Sequence, residues 1–379
     1  MSSVPSNKKD GNMQIDAIIL AGGLGKRLWP QSRQKTPKHL LNILGDSSLI
    51  YMTIMRTLLL SPHKIVIITS KDFTKDINKE IDKVKSTEEY LKIIEDHDIT
   101  FSVVEEPEGK NTAPALALGS YILNRGGNEN VTAMFPSDHI ITNNKFFIQA
   151  IKSAYAIAKK GYIATIGIAP TKPATGYGYI ETENKKNKKW YTVKSFTEKP
   201  DLKTAERYLK KENYYYNSGM LVFKPSELLE EFNKYMPELT REMEKIKDLK
   251  LSDPLFDKTL KSIYKSINAE SVDYGILEKS KNVAVVPAGF KWSDLGSWES
   301  LYDILDKDIN MNVSFGNVVN INSQGTFVQG NKKLITLIGA KDLVVVDTED
   351  ALLICEKGCT ENVKELVDYL QEKGLNKFI

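Results

Sequence analysis

In the first half of the chain, short apolar runs rich in β-branched residues alternate with longer stretches whose apolar positions recur at helical spacing. The runs over 17–20, 64–69, 100–104, 131–135 and 162–168 show no polar alternation, which predicts strands covered on both faces. Helices are predicted between them, over 49–60, 75–94, 112–123 and 145–159. This alternation argues for a parallel, doubly wound sheet that binds ligands at the carboxyl ends of its strands. Beyond Ile168 the pattern turns antiparallel, with strands over 190–197 and 283–286 and charged amphipathic helices over 226–246 and 255–265. From Asn312 onward short strands return at close spacing, over 316–321, 325–329, 334–338, 343–347 and 352–356, before a final helix over 360–373. The expected fold class is α/β: a Rossmann-like mixed, mostly parallel sheet flanked by helices, with a small C-terminal β-rich, β-helix-like module. The expected division is an unstructured tail over 1–12, a main domain over 13–311 with halves at 13–170 and 171–311, and the module over 312–379.

At 379 residues and 41% hydrophobic content the chain exceeds one ordinary core, which supports a large domain plus an appendage. The net charge of +3, from 52 basic and 49 acidic residues, is too small for a nucleic-acid surface, so anion binding has to be local. Cys355 and Cys359 lack nearby histidines and read as reduced structural thiols. The sequence shows no apolar run long enough to span a bilayer and no signal-peptide core near Met1, so a cytoplasmic protein without a membrane partner is expected.

The stretch that organises the rest is Asp16-Ala-Ile-Ile-Leu-Ala-Gly-Gly-Leu-Gly-Lys-Arg-Leu-Trp-Pro30, a buried-type strand running into a glycine-rich loop with two cations. Gly22, Gly23 and Gly25 let backbone N–H groups turn toward an anion, and Lys26 and Arg27 add charge. Their spacing is neither the dinucleotide fingerprint nor a Walker loop. A glycine turn of this kind also occurs without a ligand. Pro30 and Pro37 stiffen the continuation and return Lys38 toward the strand end. After the third strand, Asn111 and Thr112 read as caps of a helix beginning at Ala113. The fourth strand ends in Phe135-Pro-Ser-Asp-His139, which places Asp138 to hold a hard divalent cation through oxygen.

With Leu28-Trp-Pro-Gln-Ser-Arg33 and Pro37-Lys38 added, the stretch resembles the nucleotidyltransferases that join a nucleoside triphosphate to a sugar 1-phosphate, and among them the mannose-1-phosphate guanylyltransferases. The resemblance continues through Asn111-Thr-Ala-Pro114, Gly176-Tyr-Gly-Tyr-Ile180, Glu198-Lys-Pro200, Asn217-Ser-Gly219 and Ser271-Val-Asp273. It implies transfer of a guanylyl group from GTP to α-D-mannose 1-phosphate, giving GDP-mannose and pyrophosphate, with Mg²⁺ as cofactor, no covalent enzyme intermediate and a homodimeric enzyme. It implies that Arg27, Lys38 and Asp138 are catalytic, and that Leu20, Ala21, Gly22, Gly23, Gly25, Lys26, Glu106, Asn111, Thr112 and Ser137 surround the nucleotide. Glu106 is the candidate acceptor for the N1 and N2 donors of guanine. Gly178, Glu198, Asn217 and Gly219 face the sugar, with Lys199 on its phosphate. Asp294 joins Asp138 as metal ligand by the same resemblance, its alternative being to cap the helix after Gly296.

Lys110 stands where many relatives carry Arg, so a bidentate contact is not expected there. His139 is not required as a base, because an attacking phosphate oxygen has no proton to lose, and Asp273 has no assigned role. Longer relatives continue into a module that isomerises mannose 6-phosphate, which is not expected here. The same motifs would serve another base or hexose, or a silent nucleotide-sugar-binding regulatory paralogue. The last of these has no chemical need for both Asp138 and Asp294.

Overall fold

The computed structural model describes residues 13–23, 25–183 and 189–379, and the tail expected over 1–12 lies outside them. Strands of the main sheet are β1 (Ile15–Ala21), β2 (Lys64–Ser70), β3 (Thr100–Glu106), β4 (Val131–Pro136), β6 (Ile163–Ile168), β7 (Tyr179–Thr182), β8 (Tyr191–Thr197), β9 (Tyr214–Phe223) and β10 (Val283–Pro287). The short β5 (Ile140–Ile141) and β11 (Trp292–Ser293) form a separate ladder. Helices α1 (Leu49–Leu58), α2 (Thr74–Lys85), α3 (Glu88–Ile94), α4 (Thr112–Leu123), α5 (Asn144–Ala158), α6 (Leu202–Leu209), α7 (Pro225–Tyr235), α8 (Pro237–Met243), α9 (Pro254–Ser266) and α10 (Trp298–Ile304) fill the intervals.

Among the described residues the sheet has nine strands in the order β3-β2-β1-β4-β9-β6-β10-β8-β7. The first four are parallel, as their unbroken apolar runs require, and β6 is parallel to β10. Between β4 and β6 lies β9, antiparallel to both, so the sheet is mixed rather than uniformly parallel. The sequence gives little warning of this strand, because Asn217-Ser-Gly219 sits in its middle and reads as a turn. In the structure those residues form a bulge: Ser218, Gly219 and Met220 stand opposite Ile166 alone, with Gly219 at φ 71°.

Two predicted helices are each broken in two. The segment over 75–94 divides because Thr87 accepts from the Tyr90 N–H and starts α3 afresh. The segment over 226–246 divides at Met236, where Pro237 cannot continue α7 and opens α8 instead. Apolar layers cover both faces of the sheet, one beneath α4, α7, α8 and α9, the other beneath α1, α2 and α5.

The remaining strands, β12 (Val313–Phe315), β13 (Val318–Ile321), β14 (Phe327–Gln329), β15 (Ile335–Ile338), β16 (Leu343–Asp347) and β17 (Leu352–Glu356), precede α11 (Val363–Glu372). Pairings β12–β14–β16 and β13–β15 are all parallel, with β17 antiparallel on the edge, which is the stacking of a short β-helix. This module shares one core with the segment after β1: Leu28 and Trp29 pack with Trp298, Phe327, Val344 and Val367. Trp298 is fully buried, lies 5.7 Å from the Phe327 ring, and donates through Nε1 to the Trp29 carbonyl at 2.9 Å. Phe327→Ala should therefore cost about 3–5 kcal/mol through the cavity it leaves, read as a lower urea midpoint. An unchanged midpoint would show that the shared core is not structurally important.

Candidate active site

The loop after β1 folds back on itself through backbone bonds: Leu28 N–H donates to Gly25 O at 3.0 Å and Ser32 Oγ donates to the same oxygen at 2.7 Å. Gly25 has φ 68°, and a Cβ there would lie 2.4 Å from Lys38 Cβ, so both backbone and packing require glycine. This close approach brings Lys38 under the loop. Its ammonium lies 2.7 Å from Asp138 Oδ2 and also donates to the Asp294 carbonyl. The β5–β11 ladder pairs Ile140 with Ser293, which sets Asp138 beside Asp294 although 156 positions separate them in sequence. Ser137 is buried and acts through its backbone, its N–H donating to Leu20 O and its carbonyl accepting from Thr53.

A cavity of about 440 Å³ opens at the carboxyl ends of β1 and β4, beside the bulge of β9. It is lined by Leu20, Ala21, Gly22, Gly23, Glu106, Asn111, Thr112, Asp138, Asn217 and Gly219, so residues expected for nucleotide and sugar share one space. Asn111 caps α4 by accepting from the Thr112 N–H, while Thr112, expected as a second cap, is the first residue of the helix and its Oγ1 accepts from the Val272 N–H. Lys110 pairs with Glu108 at 3.5 Å. Glu106 accepts from Tyr264 Oη at 2.8 Å, and burial pushes its carboxyl up to about 7, the tyrosine bond offsetting part of that.

Asn217 has its amide oriented at both ends: Oδ1 accepts from Thr165 at 2.8 Å and Nδ2 donates to Asp273 at 2.9 Å. Gly178 leaves room for Glu198, whose carboxylate pairs with Lys199 at 2.8 Å. Asp294 Oδ1 accepts from Tyr177 Oη at 3.0 Å and from Gly296 N–H at 3.1 Å.

The loop cations Lys26 and Arg27 point away from this cluster, toward the C-terminal module, where they pair with Asp368 at 2.9 Å and Glu361 at 3.0 Å. All four side chains are at least two-fifths exposed, so each pair contributes no more than about 1 kcal/mol. A triphosphate competes easily with that.

Burial pushes His139 down to about 4, and its Nδ1 accepts from Trp292 Nε1 at 3.2 Å, so it is a neutral support of the loop. His39 is likewise pushed down to about 4 by burial. For Asp138, burial acts upward, but the Lys38 ammonium together with the neighbouring His139 and His39 outweighs it and holds the carboxyl below its ordinary value.

Residues 16–310 match the family model described as nucleotidyl transferase, and residues 316–370 match one described as a MannoseP isomerase/GMP-like beta-helix domain. The chain belongs to the nucleotidyltransferase family. Among the relatives of this nucleotidyltransferase, a mannose-1-phosphate guanylyltransferase of Salmonella muenchen is 36% identical over 95% of this chain and 74% of its own length. The corresponding Escherichia coli K12 protein is 33% identical over 94% and 73%. A Thermus thermophilus protein, described as a mannose-1-phosphate geranyltransferase, superposes with a TM-score of 0.83 at 27% identity, covering 95% of this chain and all of the other. The family resemblance read from the motifs is thus borne out. Nucleotidyltransferases of this family generally use a divalent metal. Asp138 and Asp294, two carboxylates beside a phosphate-type loop, offer a donor set such an ion can share with phosphate oxygens.

Four residues escaped sequence reasoning. Tyr177 and Tyr264 hold Asp294 and Glu106, and Glu361 with Asp368 hold the loop cations. Asp273, left without a role, lines the cavity, and burial with the nearby Glu198 charge pushes its carboxyl up to about 7. Raised carboxyls in a cavity mark stability held back for binding. The folded Glu106 keeps its proton up to about 7 whereas an unfolded glutamate releases it near 4.5, so its contribution to stability is lost as pH rises between these values. Glu106→Gln should then be about 2–3 kcal/mol more stable than the parent at pH 8, the gain shrinking toward zero by pH 4. Urea melts at the two pH values test this, and a pH-independent difference would contradict it.

Proposed function

We propose that this nucleotidyltransferase makes GDP-mannose and pyrophosphate from GTP and mannose 1-phosphate. The observation that carries the reading is the Lys38 ammonium joining Asp138 to Asp294 at the mouth of a cavity that also holds the glycine loop and Glu106. The mannosyl phosphate oxygen attacks the α-phosphorus of GTP in line, forming a P–O bond as the bond to the β-phosphate oxygen breaks, with pyrophosphate leaving. No side chain becomes covalently attached and no proton has to be removed from the nucleophile. Catalysis is then positioning plus charge neutralisation.

In this reading backbone N–H groups at Gly22 and Gly23 face the phosphates, and Arg27 leaves Glu361 to meet the leaving pyrophosphate. Lys38 sits against the transferring phosphoryl group. Glu106 accepts from guanine, whose donors favour the ionised carboxylate. Asn217 and Asp273 meet the hexose hydroxyls, with Glu198 beside them, and Lys199 binds the sugar phosphate. Asp138 and Asp294 would hold Mg²⁺, which would screen the repulsion between the two phosphate-bearing substrates. We further propose a cytoplasmic homodimer. The exposed Leu352 and Ile354, two positions apart on the edge strand β17, offer apolar side chains that a second copy would cover.

GTP with mannose 1-phosphate should give the highest kcat/KM in a pyrophosphate-release assay across nucleotides and sugar phosphates. A better rate with ATP, UTP or dTTP and glucose 1-phosphate would reject the substrate assignment. Lys199→Ala should raise KM for mannose 1-phosphate about 10-fold or more with little change for GTP, whereas Lys38→Ala should lower kcat. A reversed pattern would move the sugar subsite. Asp138→Asn and Asp294→Asn, folded by circular dichroism, should each lose about 10²- to 10³-fold in kcat, corresponding to about 3–4 kcal/mol. Parental turnover and parental Mg²⁺ dependence in either variant would remove that residue from the metal site.

A further inference from the structure

Tyr177 links Lys199, read as the sugar-phosphate residue, to the carboxylate of Asp294 through one residue. Its phenol donates to Asp294 Oδ1, while its own carbonyl accepts from the Lys199 N–H at 3.2 Å. The next carbonyl, that of Gly178, accepts from the Asn217 N–H at 2.8 Å. Both backbone donors to this turn therefore come from residues assigned to the sugar phosphate's two parts, Asn217 to the hexose and Lys199 to its phosphate. Lys199 is also held at φ 46°, a left-handed conformation that a lysine adopts only when its surroundings enforce it.

The ring itself is fixed. Tyr216 and Trp292 pack edge-on against it at centroid distances of 5.0 and 5.3 Å, and Trp292 in turn donates to His139, the neighbour of Asp138. A phenol so braced cannot follow the carboxylate if the carboxylate turns. Two donors, Tyr177 and the Gly296 N–H, converge on Oδ1 and set the rotamer in which Oδ2 is presented. Carboxylates that bind hard cations generally need such a partner, and its loss weakens metal binding about 10- to 100-fold.

We propose that Tyr177 is a positioning residue: it orients Asp294 toward the divalent ion and makes that orientation depend on occupancy of the sugar-phosphate subsite. A hexose phosphate on Glu198 and Lys199 steadies the turn that carries the braced ring of Tyr177, so the turn has less freedom left to lose when Asp294 takes up the ion. Metal and sugar phosphate then bind with positive coupling, and by linkage each strengthens the other by the same factor. The proposal rests on the reading of Asp294 as a metal ligand.

The test is Mn²⁺ binding, followed by the electron paramagnetic resonance signal of the free ion, to the full chain with GMP alone or with GMP and mannose 1-phosphate present. The parent should bind Mn²⁺ more tightly when mannose 1-phosphate is present. Tyr177→Phe, which keeps the ring and loses the hydroxyl, should weaken binding in the presence of mannose 1-phosphate about 10-fold or more and lose the difference between the two conditions. Tyr216→Phe, which loses a phenol from the same ring cluster but no contact with Asp294, should match the parent. Asp294→Asn separates the two levels of the argument. If it weakens Mn²⁺ binding while Tyr177→Phe does not, the positioning role is wrong and the metal assignment stands. If Asp294→Asn binds like the parent, both are wrong. Equal weakening in Tyr216→Phe and Tyr177→Phe would assign the effect to ring packing and overturn the proposal.

Discussion

The geometry of the site depends on where the Lys38 ammonium places its charge. Only 6% of this residue is exposed, and a buried ammonium left without partners would be costly enough to lose its proton or pull the loop open. It is satisfied by the Asp138 carboxylate and the Asp294 carbonyl, which come from two other parts of the chain. Much follows from that. The loop must close tightly enough for Lys38 to lie against Gly25, β4 must end where Asp138 can reach, and the β5–β11 ladder must hold Asp294 in register. Replacing the ammonium alone would leave the half-buried Asp138 carboxylate unpaired, so its contribution to folding cannot be separated from its contribution to chemistry.

What the sequence disclosed divides along a physical line. Contiguous signals were legible: the apolar runs of β1 and β4, the helical period of α4 and α5, and the C-terminal strands β13 to β17 stand where the pattern put them, whereas the three-residue β12 was missed. The loop glycines and Asp138 could be singled out because each lies next to a strand end that the pattern already located, and Lys38 because Pro37-Lys38 belongs to the motif of the resembling family. The strand β9 was hidden by its own bulge, since three turn-forming residues in its middle outweigh the tyrosines and valine around them. Tyr177, Tyr264 and Asp273 were not legible as parts of the site for another reason. Their roles consist of contacts with residues more than 50 positions away, and no local pattern carries such information.

The charge pattern of the site also reads differently in three dimensions. Along the sequence, Lys26 and Arg27 look like the principal phosphate-binding cations because they follow the glycines. In the fold they are the exposed and loosely held pair, whereas Lys38 is sealed in. Cations of these two kinds suit different moments of a phosphoryl transfer. A mobile pair can follow a departing anion, while a fixed one keeps the reacting centre from drifting. The raised carboxyls of Glu106 and Asp273 follow the same logic: groups kept dry by burial ionise readily once a donor-rich ligand arrives.

The core shared by Trp29, Trp298 and Phe327 has a consequence for how such a chain can be shortened. Severing it near Asp308 would not free a smaller catalytic unit from an accessory. It would strip the cover from Leu28 and Trp29 at the root of the glycine loop and expose an apolar patch larger than soluble monomers usually tolerate. The truncated product would be sticky before it was slow, and homologous chains should accept insertions in the outer turns of the module far more readily than its deletion.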